Sequence, residues 1–122
     1  MARILVVDDE PEVGIMLKKF LIKKGHDVYT ALNGEEALEV VKKERPHIVL
    51  LDIIMPKMDG IECLKHIREI DKEVGVIMIT AVKQEEVGKH AMKLGAFDYI
   101  TKPLSLKYLE DCLMVKLFQM TA

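Results

Sequence analysis

Five short apolar runs, Ile4–Val7, Val28–Ala31, Ile48–Leu51, Val76–Ile79 and Phe97–Ile100, alternate with stretches whose apolar residues recur at helical spacing. No other feature limits the fold as tightly. Strands separated by helices return parallel to one another, so the alternation predicts one α/β domain with a parallel sheet covered on both faces. Ile4–Val7 and Ile48–Leu51 are apolar at every position, as strands buried on two sides must be. The Val28 run is more polar and fits an edge. Val13, Met16, Leu17, Phe20 and Leu21 share one face of the first helix, with Pro11 in its first turn and Gly25 at its end. Asn33 with Glu36, and Asp59 with Glu62, form caps reinforced three residues on. The second helix presents Ala37, Leu38 and Val41, and the third Ile61, Leu64 and Ile67. Val87, Ala91 and Leu94 mark a fourth, and Leu106, Leu109, Leu113, Leu117 and Met120 a fifth. With no linker or repeat, residues 1–122 read as a single domain.

Composition narrows the function classes. A net charge of −2 leaves no basic surplus for holding nucleic acid or an acidic membrane directly. No apolar run approaches the roughly 20 residues that span a bilayer, and the chain enters a strand without a signal-peptide leader. A cytoplasmic location is expected. Cys63 and Cys112 stand far apart and read as reduced packing residues. His26, His47, His66 and His90 show no metal-ligand spacing and read as surface or structural residues. The 8 methionines read mainly as core filler.

The polar residues that carry chemistry sit where the runs stop: Asp8 and Asp9 after the first, Asp52 after the third, Thr80 after the fourth and Lys102 after the fifth. In open α/β sheets, ligands bind beyond the carboxyl ends of the strands, where the winding reverses. With the first and third strands adjacent, Asp8, Asp9 and Asp52 converge in one pocket, and Thr80 and Lys102 approach from the next strands. Carboxylates that close repel one another unless a cation intervenes, and a hard divalent ion such as Mg²⁺ suits an all-oxygen site. A carboxylate can also serve as the nucleophile that forms an aspartyl-phosphate. Taken singly, each residue has an ordinary role: Asp9 or Glu10 as a helix cap, Asp52 as a turn former, Thr80 as a β-former, Lys102 as a solvated charge. Their placement at four strand ends on one sheet edge sets them apart.

At these residues the sequence resembles the receiver domains of two-component response regulators. The resemblance runs through ILVVDDEP (4–11), LNGEEALE (32–39), PHIVLLDIIMPKMDGIE (46–62), VIMITA (76–81) and LGAFDYITKP (94–103). It implies the flavodoxin-like fold: a doubly wound five-stranded parallel sheet of order 2-1-3-4-5 with five flanking helices. It implies Asp52 as phosphoacceptor, and Mg²⁺ held by Asp9, Asp52 and the backbone carbonyl of Ile54, with Asp8 acting largely through water. Thr80 and Lys102 would contact the phosphoryl group, and the Lys102–Pro103 bond would be cis. Tyr99 falls at the aromatic switch position, turning inward as Thr80 moves and small Ala81 leaves room. The face formed by the fourth helix, fifth strand and fifth helix would carry the signal to a downstream protein or output domain.

The resemblance also implies a histidine kinase or phosphotransfer protein as donor, docking near the first helix, where Gly14, Ile15 and Lys18 lie, and near the loop after the fifth strand. Ile54 and Val82, two residues beyond Asp52 and Thr80, are apolar and predict slow self-dephosphorylation. Gly88 either eases repacking of the fourth helix or is an exposed glycine without a role. Tyr108, Met114, Val115 and Phe118 on the last helix either form a homodimer or partner contact or belong to a wider buried face. Three other functions are weaker. A haloacid-dehalogenase-type phosphatase needs a second Asp two residues after its nucleophile, where Ile54 stands. A flavin carrier would meet repulsion from Asp8, Asp9 and Glu10 at its phosphate loop. A receiver-shaped interaction module that takes no phosphate would have no need of the intact constellation.

Overall fold

The computed structural model describes residues 2–81 and 85–121. Its elements follow the order β1 (Arg3–Val7), α1 (Pro11–Lys23), β2 (Asp27–Ala31), α2 (Gly34–Glu44), β3 (Ile48–Asp52), α3 (Gly60–Ile70), β4 (Gly75–Thr80), α4 (Glu85–Lys93), β5 (Asp98–Thr101) and α5 (Leu106–Thr121). The strands form one sheet of order β2-β1-β3-β4-β5, and every pairing is parallel. The doubly wound fold is as expected, with β2 at an edge.

Strand side chains alternate between two cores. Leu5, Val7, Val49, Leu51, Val76 and Met78 face α2, α3 and α4 through Ala37, Val41, Cys63, Leu64, Ile67 and Ala91. Ile4, Val6, Ile48, Leu50, Ile77 and Ile79 face α1 and α5 through Leu17, Leu21, Leu109, Cys112 and Leu113. Both cysteines are unpaired and buried. Burial, with Asp59 and Glu62 nearby, pushes the Cys63 thiol up to about 12, and burial with the Asp98 bond takes Cys112 to about 11.

The cap signals are realised. Asn33 and Asp59 each accept a hydrogen bond from the amide three residues on, Glu36 and Glu62, both at 2.9 Å. Pro11 opens α1, and Gly25 follows its end at φ +90°, a conformation that favours glycine.

Several expectations need correction. Met16 lies on the solvent side of α1 at 46% exposure, because the face against the sheet is made by Leu17 and Leu21 with half-buried Val13 and Phe20, and by Gly14, which is buried against β2 rather than open for docking. The methionines are divided, with Met55 and Met78 in the core and Met16, Met92 and Met114 exposed. Gly88 is not exposed: a Cβ there would lie 3.1 Å from Cγ of Tyr99, so the glycine makes room for that ring beneath α4. On α5 the open alternative resolves toward exposure, with Met114, Val115 and Phe118 at 64%, 52% and 73%.

Candidate functional site

Parallel pairing brings four strand ends to one edge. Asp8 follows β1, Asp52 closes β3, Thr80 closes β4 and Lys102 follows β5. Asp8, Asp52 and Thr80 are buried, whereas Asp9 is exposed. One oxygen each of Asp8, Asp9 and Asp52 can be chosen so that all lie within 4.8 Å of one another. The ammonium of Lys102 stands 3.2 Å from Asp8 Oδ2, 3.5 Å from Asp52 Oδ2 and 3.9 Å from Glu10 Oε1.

Backbone contacts fix these groups. Asp8 Oδ1 accepts from the Glu10 amide at 2.9 Å, and Asp52 Oδ1 accepts from the Ile54 amide at 3.2 Å. The Lys102 amide donates to the Thr80 carbonyl at 2.7 Å, tying the cation to the end of β4. The Lys102–Pro103 peptide is cis, as expected. Asp9, Glu10, Asp52, Ile54, Ala81 and Lys102 line a cavity of about 240 Å³ above the buried carboxylates.

The charges do not balance. Burial raises the Asp52 pKa above the usual carboxylate range; Asp8 adds to this, while Lys102 and the Ile54 amide only partly offset it. On Lys102 burial disfavours the charge, but Asp52, Asp8 and Glu10 outweigh it and raise its pKa. Crowded carboxylates with oxygen donors alone, set against one ammonium, fit a hard divalent cation.

The residues singled out from sequence gather here, apart from Tyr99. That ring is half-buried one strand away, under Gly88. Ile54 lines the cavity and is 57% exposed. Val82 lies outside the described residues. The histidines stay away from the site: His26 and His47 accept from the Ala2 and Arg3 amides, and His66 faces Glu69 at 3.3 Å.

Two contributions to this site were not assigned from sequence. Glu10 brings a further carboxylate to Lys102, signalled only by an acidic residue directly after the Asp pair. Gly60 lets α3 start against the end of β3: its amide donates to the Ile53 carbonyl at 2.7 Å, and a Cβ there would collide with the Asp52 carbonyl oxygen. Its sequence signal was the glycine directly after the cap Asp59.

Comparison with known proteins agrees with this geometry. Residues 4–114 match the family described as response regulator receiver domain. Sporulation initiation phosphotransferase F of Bacillus subtilis is 39% identical over 109 residues, which cover 89% of this chain and 88% of that protein. Other relatives are longer: the match to the transcriptional regulatory protein PhoP of the same organism takes in 43% of it. A two-component response regulator from Clostridium difficile superposes with a TM-score of 0.95 at 28% identity, covering 100% of both chains. In a CheX–CheY complex with BeF3 and Mg²⁺ from Borrelia burgdorferi, the matching chain is 39% identical with a TM-score of 0.88, covering 93% of this chain and 87% of that one. The phosphatase and flavin-carrier readings find no support in these matches. The chain belongs to the response regulator receiver family, whose members are phosphorylation-dependent signalling domains of two-component systems rather than conventional enzymes.

Proposed function

We propose that residues 1–122 act as one receiver domain that takes a phosphoryl group onto Asp52. The observation that carries this reading is the clustering of Asp8, Asp9 and Asp52 with the Lys102 ammonium 3.5 Å from Asp52. The residues that would hold Mg²⁺ are Asp9, Asp52 and the Ile54 carbonyl, with Asp8 beside them; the ion, when bound, supplies charge neutralisation at the phosphoryl oxygens. Asp52 presents a carboxylate oxygen to the incoming phosphorus, held in place by the Ile54 amide. The bond from phosphorus to the donor's imidazole nitrogen breaks as the new oxygen–phosphorus bond forms; the electron pair goes to that nitrogen, and histidine leaves neutral because its other ring nitrogen carries a proton. Lys102 turns from Asp52 to the transferred group, and the Thr80 hydroxyl donates a hydrogen bond to a phosphoryl oxygen. Phosphoryl transfer needs mainly this positioning and neutralisation.

Family members exchange phosphoryl groups with histidine kinases or phosphotransfer proteins, and this chain is read as doing so from the cavity side, beside α1 and the loop after β5. The added charge of roughly −1.5 to −2 draws Thr80 inward, Tyr99 follows, and α4, β5 and α5 pass the change to a downstream protein or output domain. The exposed stripe of Met114, Val115 and Phe118 supports a partner or homodimer contact on α5. Among the described residues no helix is long and apolar enough to cross a membrane. The cytoplasm, where such a donor kinase domain resides, is the proposed location.

Intact mass after incubation with Mg²⁺ and acetyl phosphate tests the reading. Wild type is expected to gain about 80 Da, the mass of a phosphoryl group, and Asp52→Asn to gain nothing. No gain, even with a competent kinase, would favour a phosphate-independent interaction module. In the same assay, decay of the adduct is expected to be slow, because the Ile54 side chain offers no hydrogen bond to an attacking water; an Ile54→Asn adduct that decays no faster would remove that argument.

A further inference from the structure

Glu10 occupies the N-cap position of α1 but leaves the cap unmade. The corresponding residues of α2 and α3, Asn33 and Asp59, both use their side chains to accept from the first turn. Glu10 instead turns its carboxylate to within 3.9 Å of the Lys102 ammonium. It lines the cavity while its side chain stays 62% exposed. A charged side chain at the start of a helix, where an anion is stabilising, thus makes no cap bond and lines the cavity of the acceptor carboxylate.

We propose that Glu10 is a specificity-determining residue, a charge filter at the cavity mouth that slows small dianionic phosphodonors. The inference rests on the phosphoryl-acceptor reading of Asp52 and deepens it. A free donor must bring its phosphoryl oxygens past this carboxylate, whose charge Lys102 only partly offsets, without any docking contacts to outweigh the repulsion. A donor carried on a protein has docking contacts over α1 and the loop after β5 that outweigh one like charge. In transfer from acetyl phosphate, a bond forms between an Asp52 oxygen and phosphorus while the bond to the acetate oxygen breaks, and acetate leaves with the electron pair. Glu10 takes no part in that exchange; it acts on the approach.

The test measures labelling rates of wild type, Glu10→Gln and Glu10→Asp by intact mass at saturating Mg²⁺. Acetyl phosphate serves as dianionic donor and phosphoramidate as monoanionic donor, each at low and high ionic strength. Labelling of Glu10→Gln by acetyl phosphate should be about three- to tenfold faster than wild type, the scale of one water-screened unit charge several ångströms away. The gain should be smaller with phosphoramidate and should shrink at high salt. Glu10→Asp, which keeps the charge, should stay near wild type. No acceleration overturns the filter. So does an equal, salt-independent acceleration with both donors, which would assign the effect to a displaced Lys102. If wild type accepts phosphoryl from neither donor nor a kinase, the acceptor reading falls, and sulfate then decides the filter. Amide shifts at Ile54 and Ala81 should saturate at lower sulfate in Glu10→Gln; identical curves overturn it.

Discussion

Asp52 is held in a state that the protein alone does not neutralise. Its carboxylate is buried beside Asp8, and those two effects outweigh Lys102 and the Ile54 amide, so its pKa lies above the ordinary carboxylate value. A group whose pKa is raised by folding makes its ionised form costly, and stability contributed by the protonated form is lost as pH rises through the folded pKa. At neutral pH, with metal removed by a chelator, Asp52→Asn is therefore expected to raise the urea midpoint. The substitution leaves Lys102 its other buried partner, Asp8, which lies 3.2 Å from the ammonium. Adding Mg²⁺ should stabilise wild type more than Asp52→Asn; a variant midpoint at or below wild type under chelation would mean that Lys102 already balances the site. The residues of this cluster were legible in the sequence because parallel strands place their carboxyl ends together whatever their loops do. Gly60 and Gly88 were less so: a glycine in the sequence does not say what it avoids, here a backbone oxygen of β3 and the ring of Tyr99.

Element boundaries were legible where a side chain does the capping. In α2 the Asn33 carboxamide accepts from Glu36, and Glu36 Oε1 accepts in return from the Leu32 amide at 3.2 Å. This pair satisfies two amides that would otherwise depend on water at the helix entrance. Asn33→Ala should cost about 1 kcal/mol, read as a lower urea midpoint with unchanged slope. Glu10→Gln should cost far less, because the Glu10 side chain caps nothing; comparable losses in the two variants would place the Asn33 effect elsewhere. Helix faces were less legible. Helical spacing assigned Met16 to the buried stripe of α1, but the sheet covers a narrower arc centred on Leu17 and Leu21. On α5 the unbroken apolar run from Cys112 to Val115 blurs the period, and only packing separates buried Leu109 and Leu113 from exposed Met114 and Phe118.

Across the whole molecule, the sheet edge opposite the site is fastened by two histidines. His26 Nδ1 accepts from the Ala2 amide at 3.2 Å, and His47 Nδ1 accepts from the Arg3 amide at 2.9 Å. The His47 backbone also donates to the Arg3 carbonyl and accepts from the Gly75 amide, joining β1, β3 and β4. An acceptor Nδ1 requires the neutral imidazole with its proton on Nε2, and a protonated ring would face a donor with a donor. Burial lowers both pKa values below the ordinary 6.5, and for His47 the Arg3 guanidinium lowers it further. The unfolded chain then binds protons more readily than the folded one in this range. Stability from the two rings is fully present above about 6.5, the ordinary histidine value, and is lost as pH falls through the folded values. The urea midpoint of Asp52→Asn, in which the acceptor carboxylate cannot contribute, should decline between pH 7 and pH 5.5, and removing both rings (His26→Asn with His47→Asn) should flatten that decline. Solvent screening of these partly exposed rings keeps the slope shallow. Histidine C–H resonances should titrate below 6.5 for these two residues, and midpoints at or above 6.5 would show that neither imidazole holds β1 as an acceptor.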